Sequence, residues 1–384
     1  MVTIREKHAK RDSTAKAVLR EVFEFRNRQA AVVLNDVNYW TFGELQELIP
    51  EKYYDDPGIM MEYQLKKIDR HYGAYDDDCY LGFLMPWYGT AVLASGFGHP
   101  IVKNYKADPA ADISKVQHPD ELRKLRLPDP QRDGLMPQVL QTLTFFREHA
   151  DLPVGVTDCQ GPLTTALSLI GYDKYCYWMY DYPKLIHGLM DLVTEALIQW
   201  VKAQKKHASI PMDTESYPLG VRLPDGFGGV WLSDDDSVIL GTDLYREFVM
   251  PYNSRLLKAF GGGCLHYCGN SNQHLESFLN TEGLTAINNL NLDDIKGAAI
   301  MKKALAKKGI VYMACDFVPT EERLKTYYLD LLEAMGDQRG LIIVPYVAPA
   351  VELERGRYNE SHRDQFELGK RVKGLVDEAI ASRK

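Results

Sequence analysis

Gly263-Cys-Leu-His-Tyr-Cys-Gly269 is one of a series of short apolar runs that alternate with helical stretches along this chain. Three more runs follow it in order: Ala286-Ile-Asn288, Ile310-Val-Tyr-Met-Ala314 and Leu341-Ile-Ile-Val-Pro345. Short apolar runs bounded by glycine and polar residues predict buried strands, and longer periodic segments predict helices. Strands that alternate with helices are typical of parallel βαβ units. This part of the chain therefore predicts an α/β fold built on a parallel sheet.

The same alternation extends towards the N-terminus. The further strand candidates are Tyr80-Leu-Gly-Phe-Leu-Met85, Val154-Gly-Val-Thr157, Gly229-Val-Trp-Leu232, and either Ala31-Val-Val-Leu34 or the segment Val37–Phe42. The helix candidates between the strands include Tyr182–His207, Thr242–Phe260 and Thr320–Met335. About eight strands, each followed by a helix, predict a TIM (β/α)8 barrel.

The first part of the chain reads as helical. Ser13–Arg28 carries apolar residues at helical spacing, and two further segments, Gly43–Leu48 and Met60–Tyr72, are short and rich in polar residues. We find no linker rich in proline, glycine or serine and no repeat at a fixed period. We therefore predict one structural domain, in which a helical N-terminal extension (1–75) packs on a barrel (76–384).

Composition narrows the class of protein. With 45% hydrophobic residues the chain has ample material for a core, and its net charge of −8 argues against nucleic acid or an anionic membrane as main partner. No apolar run approaches the roughly 18 residues that span a bilayer, and the start lacks the apolar stretch of a signal peptide. Six scattered cysteines show no disulfide framework, so we expect a reducing cytoplasmic setting.

His266 and Cys268 are the strongest candidates for a metal site. Residues i and i+2 of a strand point to the same face, with Cα atoms about 6.5 Å apart. A zinc ion, with bonds of about 2.1 Å to nitrogen and 2.3 Å to sulfur, can reach both side chains. The competing interpretation is a buried cysteine that packs as a small hydrophobe beside a hydrogen-bonded histidine.

A catalytic zinc site needs a third protein ligand. Cys264 would lie about 13 Å from Cys268 and is expected to pack in the core. Cys315, at the end of a later strand, is the better candidate. Asp234 to Asp236 and Asp316 offer oxygen ligands, or acceptors that orient His266. His99, in a glycine-rich loop, is a weaker candidate for a direct role.

Several segments together resemble the uroporphyrinogen decarboxylase superfamily. They are Gly161-Pro-Leu-Thr164, Asp234-Asp235 with Leu244-Tyr-Arg-Glu-Phe-Val-Met-Pro-Tyr252, Asn38-Tyr-Trp-Thr-Phe42, and Ile49-Pro-Glu-Lys-Tyr53. The resemblance covers most of the chain. It implies a TIM barrel with a large cleft at the carboxyl ends of the strands, and a homodimer is consistent with the superfamily.

The superfamily has a decarboxylase branch, from which this chain departs. True decarboxylases carry an Arg-Gln-Ala-Gly-Arg segment after the first strand, where guanidinium groups bind the carboxylates of a tetrapyrrole. Here the equivalent stretch is Phe42-Gly-Glu-Leu-Gln-Glu47, with two acids and no arginine. The decarboxylases also have a Gly-His near the last strand, where this chain has Pro345-Tyr-Val-Ala-Pro349.

The second branch, the corrinoid-linked methyltransferases, resembles this chain at His266-x-Cys268-Gly269. The resemblance implies that His266 and Cys268 bind Zn2+ and that a corrinoid (cobalamin) is carried by a partner protein. The family's second cysteine would fall near Tyr346, where this chain has none. Cys315, a carboxylate or Tyr346 would then complete the ligand set, or the metal has been lost.

Our leading hypothesis is a zinc-dependent methyltransferase that acts with a corrinoid-binding protein. The methyl group would come from a small O- or S-methyl compound, or pass to a thiol. Asp234, Asp235 and Asp316 would orient ligands or move a proton. The residues that would line a cleft wide enough for the macrocycle are Trp87, Tyr88, Phe97 and Tyr346, with core packing as their alternative role. Two other functions stay open: a metal-independent decarboxylase-like lyase using Asp158 or Asp234, and a non-catalytic tetrapyrrole binder.

Overall fold

The computed structural model describes residues 3–35, 50, 52–79, 83–104, 107–112, 116–214, 221–290, 292, 294–347 and 365–383. The strands are β1 (Ala31–Val32), β2 (Ile101–Asn104), β3 (Ala107–Ala111), β4 (Val230–Ser233), β5 (Gly263–Cys268), β6 (Leu284–Leu290), β7 (Val311–Phe317) and β8 (Leu341–Tyr346). The helices of the first half are α1 (Ile4–Phe23), α2 (Pro57–Ala74), α3 (Val92–Gly96), α4 (Met136–His149), α5 (Pro162–Ile170), α6 (Tyr172–Asp181) and α7 (Pro183–Ala208). Those of the second half are α8 (Thr242–Phe248), α9 (Met250–Lys258), α10 (Leu275–Leu279), α11 (Ile295–Ala306), α12 (Glu321–Met335) and α13 (Gln365–Ala381).

A parallel sheet of six strands forms the centre, in the order β1-β8-β7-β6-β5-β4. Two single parallel bridges extend it: Gln160 joins Ser233 of β4, and Leu84 joins Val154. Among the described residues, eight strand segments thus lie side by side with helices around them. This is the arrangement of the predicted TIM barrel, and the fold prediction is confirmed.

The barrel strands are buried because helices cover the sheet. β4 and β8 are buried at every position, and β5, β6 and β7 at nearly every one. Strands buried in this way carry continuous apolar sequence rather than alternation. The small antiparallel hairpin of β2 and β3 lies between the second barrel strand and α4. Within the described residues, no helix combines the length and the apolar character needed to cross a membrane.

The helix predictions for α7, α12 and α2 match the structure closely. The helix predicted at 13–28 is α1, which begins earlier, at Ile4, and ends earlier, at Phe23. The predicted helix Thr242–Phe260 is wrong as one element, because α8 ends before Val249 and α9 begins at Met250. Pro251 accounts for the break, since proline lacks the N–H that a continuous helix needs and restricts the residue before it.

The predicted division into an N-terminal extension (1–75) and a barrel (76–384) stays a prediction. Ala31–Val32 lies inside the predicted extension, yet it is hydrogen bonded in parallel to β8 as a barrel strand. A short apolar run carries no periodicity that would assign it to either unit. The predicted strand at 37–42 and the helix at 43–48 lie outside the described residues, as do parts of the segments at 49–53 and 80–85.

Candidate metal centre

Two neighbouring strands carry the candidate site at their carboxyl ends. β4 and β5 pair with Ser233 opposite His266, and the N–H of Asp234 donates to the His266 carbonyl at 2.7 Å. The chain therefore leaves β4 beside the upper part of β5. Asp235 begins a 3-10 helix, Asp235–Ile239, at this point. The parallel register is what brings Asp235 to His266 across about 30 residues of sequence.

Asp235, His266 and Cys268 form one group, with their ligand atoms all within 4.8 Å of one another. Nε2 of His266 is 3.1 Å from Oδ1 of Asp235 and 3.6 Å from Sγ of Cys268. A tetrahedral zinc ion holds nitrogen and oxygen ligands roughly 3.4 Å apart, and nitrogen and sulfur ligands roughly 3.6 Å apart. The observed separations fit this geometry.

Oδ1 of Asp235 is a buried atom that receives no hydrogen bond from the described part of the protein. Its near neighbours are Nε2 of His266, at 3.1 Å, and the Cys268 thiol, which interact with this carboxylate when they carry a proton. Buried oxygen atoms without partners are rare, because they lose the hydrogen bonds that water would supply. A cation between Asp235, His266 and Cys268 would satisfy this atom.

Asn288 on β6 orients the histidine. It lies opposite His266 in the register of the two strands, and its Oδ1 is 2.6 Å from Nδ1 of His266. Since an amide oxygen only accepts, Nδ1 carries the proton and Nε2 is available to a metal. In the sequence Asn288 stands only as the end of an apolar run, and its place in the same row as His266 is the signal that identifies it.

The charged forms of Asp235 and His266 stabilise each other. Burial alone would raise the pKa of Asp235, but the neighbouring His266 holds it below its usual value. Burial alone would lower the pKa of His266, but the charges of Asp235 and Cys268 raise it well above its usual value. Burial raises the pKa of the Cys268 thiol, against the opposing effect of His266. Three side chains that can carry two negative charges are thus held together in a low dielectric.

The group is open on one side. The His266 side chain is 5% exposed, whereas that of Asp235 is 36% exposed. Structural zinc sites are closed by four protein ligands, while catalytic sites keep a position for water or substrate. Three convergent ligands with an exposed edge match the second kind.

Comparison with known proteins indicates which protein family this chain resembles. Residues 50–216 match the family described as Uroporphyrinogen decarboxylase (URO-D). The matched segment makes up a little under half of the chain. The resemblance drawn from the sequence is thereby confirmed. Asp235, His266 and Cys268 lie beyond residue 216, so the candidate metal centre is carried by the part of the barrel that follows the matched segment.

The relatives of this chain are enzymes of two reaction types. Uroporphyrinogen decarboxylase of Geobacillus thermodenitrificans is 26% identical over 284 residues, covering 69% of this chain and 72% of the relative. The methylated-thiol–coenzyme M methyltransferase of Methanosarcina mazei is 25% identical over 150 residues, covering 38% of this chain and 36% of the relative. This second match spans little more than a third of the methyltransferase's length.

A solved structure of a methyltransferase from Methanosarcina mazei shares the fold, with a TM-score of 0.64 and 18% identity. The alignment covers 95% of this chain and 98% of that structure. At this identity the likeness shows the fold alone. It covers the candidate metal centre as well as the matched segment.

Cys315, the predicted third ligand, does not join the group. Cys268 pairs with Leu290, and Leu290 pairs with Cys315, so the two cysteines share a row but lie two strands apart. Two strand spacings amount to about 9.5 Å, too far for one ion. The Cys315 thiol is buried, and burial raises its pKa well above the usual value. Among the described residues, Asp235 rather than Cys315 is the third candidate ligand beside His266 and Cys268.

Asp234 faces the helices around the barrel. It is fully buried, and its Oδ2 accepts hydrogen bonds from the Tyr245 hydroxyl at 2.6 Å and from the Asn253 amide at 2.9 Å. Burial raises the pKa of Asp234 to about 7, against the effect of these hydrogen bonds. The predicted direct role is therefore not supported, and Asp234 instead ties the end of β4 to α8 and α9.

Asp316 also faces outward. It follows Cys315 on β7, and successive strand residues point to opposite faces. Its carboxylate accepts a hydrogen bond from the Tyr327 hydroxyl on α12. Asp316 thus lies on the opposite face of the sheet from His266 and Cys268, and its predicted catalytic role is not supported by the geometry.

The four aromatic candidates are held by different parts of the barrel. Trp87 is fully buried beside Met60 of α2. The Tyr88 hydroxyl lies 2.8 Å from that of Thr142 on α4. These contacts match the alternative of core packing. Phe97 lines a cavity of about 370 Å³ together with several residues between 116 and 133. Tyr346 lies at the end of β8, and its ring packs edge-on against that of Phe317, with 5.0 Å between the ring centroids.

Two further candidates are fixed by hydrogen bonds. Asp158 is buried and accepts a hydrogen bond from the side-chain amide of Gln160. Nδ1 of His99 lies 2.8 Å from the carbonyl oxygen of Asp112. This bond anchors the start of the β2–β3 hairpin, and His99 lies outside the candidate metal group.

Proposed function

We propose that this protein is a zinc-dependent methyltransferase that moves a methyl group between a small methylated substrate, or a thiol acceptor, and the cobalt of a corrinoid protein. The observation that carries the proposal is the convergence of Asp235, His266 and Cys268 at the open end of the barrel. Relatives that include a methanogen methyltransferase support the same branch. The corrinoid partner follows from the resemblance at His266-x-Cys268-Gly269.

Zinc at this site would act as a Lewis acid on an oxygen or sulfur atom of the substrate. Asp235, His266 and Cys268 would hold the ion, and Asn288 would keep the His266 ring in place through its 2.6 Å contact. The exposed edge of Asp235 leaves room for the substrate on the side away from the strands. A partner protein would deliver its corrinoid to this same side.

The ligand set bears on the substrate. It offers one thiolate, one imidazole and one carboxylate, and is therefore harder than a set with two thiolates. Harder ligand sets favour oxygen donors, and softer ones favour thiolates. We therefore place O-methyl compounds ahead of S-methyl compounds and thiols as substrates of this protein.

Metal content is the direct test of the site. We expect about one zinc per chain at this site, lost in His266→Ala and Cys268→Ser and retained in Cys176→Ser, whose thiol lies on α6 and outside the metal group. Unchanged zinc content in folded His266→Ala and Cys268→Ser proteins would refute the ligand assignment.

The activity needs its own measurement. Free cob(I)alamin and a panel of methyl ethers, thioethers and methylated amines can be followed by the change in the visible spectrum as methylcobalamin forms. We expect turnover with a methyl ether that depends on His266 and Cys268. Zinc binding with no methyl transfer to or from cobalamin, in the presence of the cognate corrinoid protein, would reject the function and keep the metal site.

The decarboxylase-like alternative rests on the relative from Geobacillus thermodenitrificans, which is a uroporphyrinogen decarboxylase. It would use buried Asp158, and it requires neither the metal group nor a corrinoid. Turnover of a carboxylated substrate by His266→Ala and Cys268→Ser proteins would favour it. A non-catalytic tetrapyrrole binder would instead bind the free macrocycle tightly without any methyl exchange.

A further inference from the structure

A second group of metal-binding side chains lies outside the candidate metal centre. His71, Asp77 and Cys79 bring their ligand atoms within 4.8 Å of one another. His71 is in the last turn of α2, and Asp77 and Cys79 follow in the segment that leads to the second barrel strand. The composition is that of the first group, a carboxylate, an imidazole and a thiol.

The local sequence explains the convergence. Asp77 and Cys79 are two residues apart in a segment that bends at residues 77 and 78, and both present their ligand atoms to the same side. The helix α2 ends at Ala74, and the chain turns back within three residues. This return brings His71 over the same side, with its Nε2 3.4 Å from Oδ1 of Asp77. The Cys79 thiol is within hydrogen-bonding reach of His71.

Asp77 is fixed in place by groups outside the set. Its Oδ2 accepts a hydrogen bond of 2.8 Å from the N–H of Leu34, so its Oδ1 turns towards His71. Arg11 of α1 donates to this same oxygen. A carboxylate oxygen has two lone pairs, so it can accept from Arg11 and also bind a cation. Ligating carboxylates are ordinarily held by such outer hydrogen bonds.

The group is more closed than the first. The side chains of His71 and Asp77 are 2% and 0% exposed, and Cys79 is half-buried. The ligand atoms of His71 and Asp77 are therefore closed to solvent, and Cys79 keeps an exposed side. Burial also raises the pKa of the Cys79 thiol, so without a metal this thiol stays neutral and is a poor nucleophile.

We propose that His71, Asp77 and Cys79, with a water molecule as the fourth ligand on the exposed side of Cys79, bind a zinc ion that joins α1 and α2 to the first two strands of the barrel. Asp77 and a Cys79 thiolate neutralise the charge of the dication, and Arg11 supports the carboxylate. The ion fixes the return of the chain after α2 against Leu34, next to β1. Binding requires loss of the thiol proton, so it weakens at low pH.

Metal counting in single and double variants tests the site independently of the proposed function. With both sites occupied, we expect two zinc ions per chain, one in Cys79→Ser, one in Cys268→Ser and none in the double variant. If the first group binds no metal, wild type holds one ion that Cys79→Ser loses and Cys268→Ser keeps. Zinc content equal to wild type in folded Cys79→Ser and His71→Asn proteins would overturn the proposal.

Cobalt substitution distinguishes the loss of a metal ligand from metal loss that is caused by misfolding of a variant. Cobalt bound to a thiolate gives a charge-transfer band in the near ultraviolet. We expect this band in cobalt-loaded Cys268→Ser protein, where only Cys79 can supply it, and in the Cys176→Ser control. Its absence from folded Cys268→Ser protein would overturn the second site. A chelator should lower the melting temperature of Cys268→Ser protein, and an unchanged melting temperature would count against a structural ion.

Discussion

Replacement of Asn288 by alanine tests whether the first metal group is held as the geometry indicates. Asn288 is buried, and its Oδ1 accepts from Nδ1 of His266 at 2.6 Å. Alanine removes this acceptor, so the imidazole can rotate and its proton can move to Nε2, the atom that faces Asp235 and Cys268. Loss of such a supporting contact typically lowers metal affinity 10- to 100-fold, or about 1.4–2.7 kcal/mol.

The neighbouring Asn289 supplies a matched control. It is also buried, but its amide donates to the carbonyl oxygen of Gly269 at 2.8 Å and its Oδ1 accepts from Tyr312. Asn289→Ala therefore deletes the same chemical group on the same strand without touching His266. Each variant is expected to lose about 1–3 kcal/mol of folding free energy, because a buried polar partner is left unpaired. Only Asn288→Ala should lose zinc affinity.

The assay is competition for zinc with a chromogenic chelator, run alongside urea unfolding of the metal-free proteins. Asn288→Asp keeps an acceptor at the same place and should restore most of the affinity. Equal loss of zinc affinity in Asn288→Ala and Asn289→Ala would refute the orienting role, because the effect would then follow stability alone. Unchanged zinc affinity in Asn288→Ala would argue that Nε2 of His266 is not a zinc ligand.

Three further predictions follow from the same geometry. Asp235→Asn removes the charge of the third ligand, and we expect zinc affinity in the chelator competition to fall at least about tenfold. Wild-type affinity in this variant would mean that a residue other than Asp235 is the third ligand. Cys315→Ser should leave zinc content unchanged, because Cys315 lies two strands from Cys268, and a loss of one equivalent in folded protein would contradict the register argument. Tyr245→Phe deletes the donor to buried Asp234, so urea unfolding should show a loss of about 1–3 kcal/mol, while zinc affinity changes little; a large loss of zinc with little loss of stability would instead give Asp234 a part in metal binding.

Much of the fold could be predicted from the sequence because its signals are local. The alternation of short apolar runs with periodic segments predicts the parallel barrel, and α7 begins and ends within one residue of its predicted bounds. The error at Thr242–Phe260 is also local, since Pro251 breaks the helix and its effect was overlooked. The strand candidate Ala31–Leu34 is confirmed in part by the same kind of local signal, since Ala31–Val32 pairs with β8.

The candidate site was predicted in part. His266 and Cys268 could be paired from the sequence because two residues of one strand share a face whatever surrounds them. Asp235 was one of three consecutive aspartates, and nothing in the sequence separates the one that faces the metal group from Asp234, which faces α8 and α9. Asn288 was missed as a functional residue because its contact crosses from one strand to the next.

The sequence by itself determined the barrel class, the same-face pair on β5 and the absence of arginine from the segment after the first strand. These depend on the spacing and type of residues close together in the chain. Only the tertiary structure decided which side chains complete each metal group. Register and strand order bring Asp235 to His266 and keep Cys315 two strands away, and the return of the chain after α2 brings His71 to Asp77. Such contacts join residues far apart in the chain, and they form only when strands and helices pack against one another.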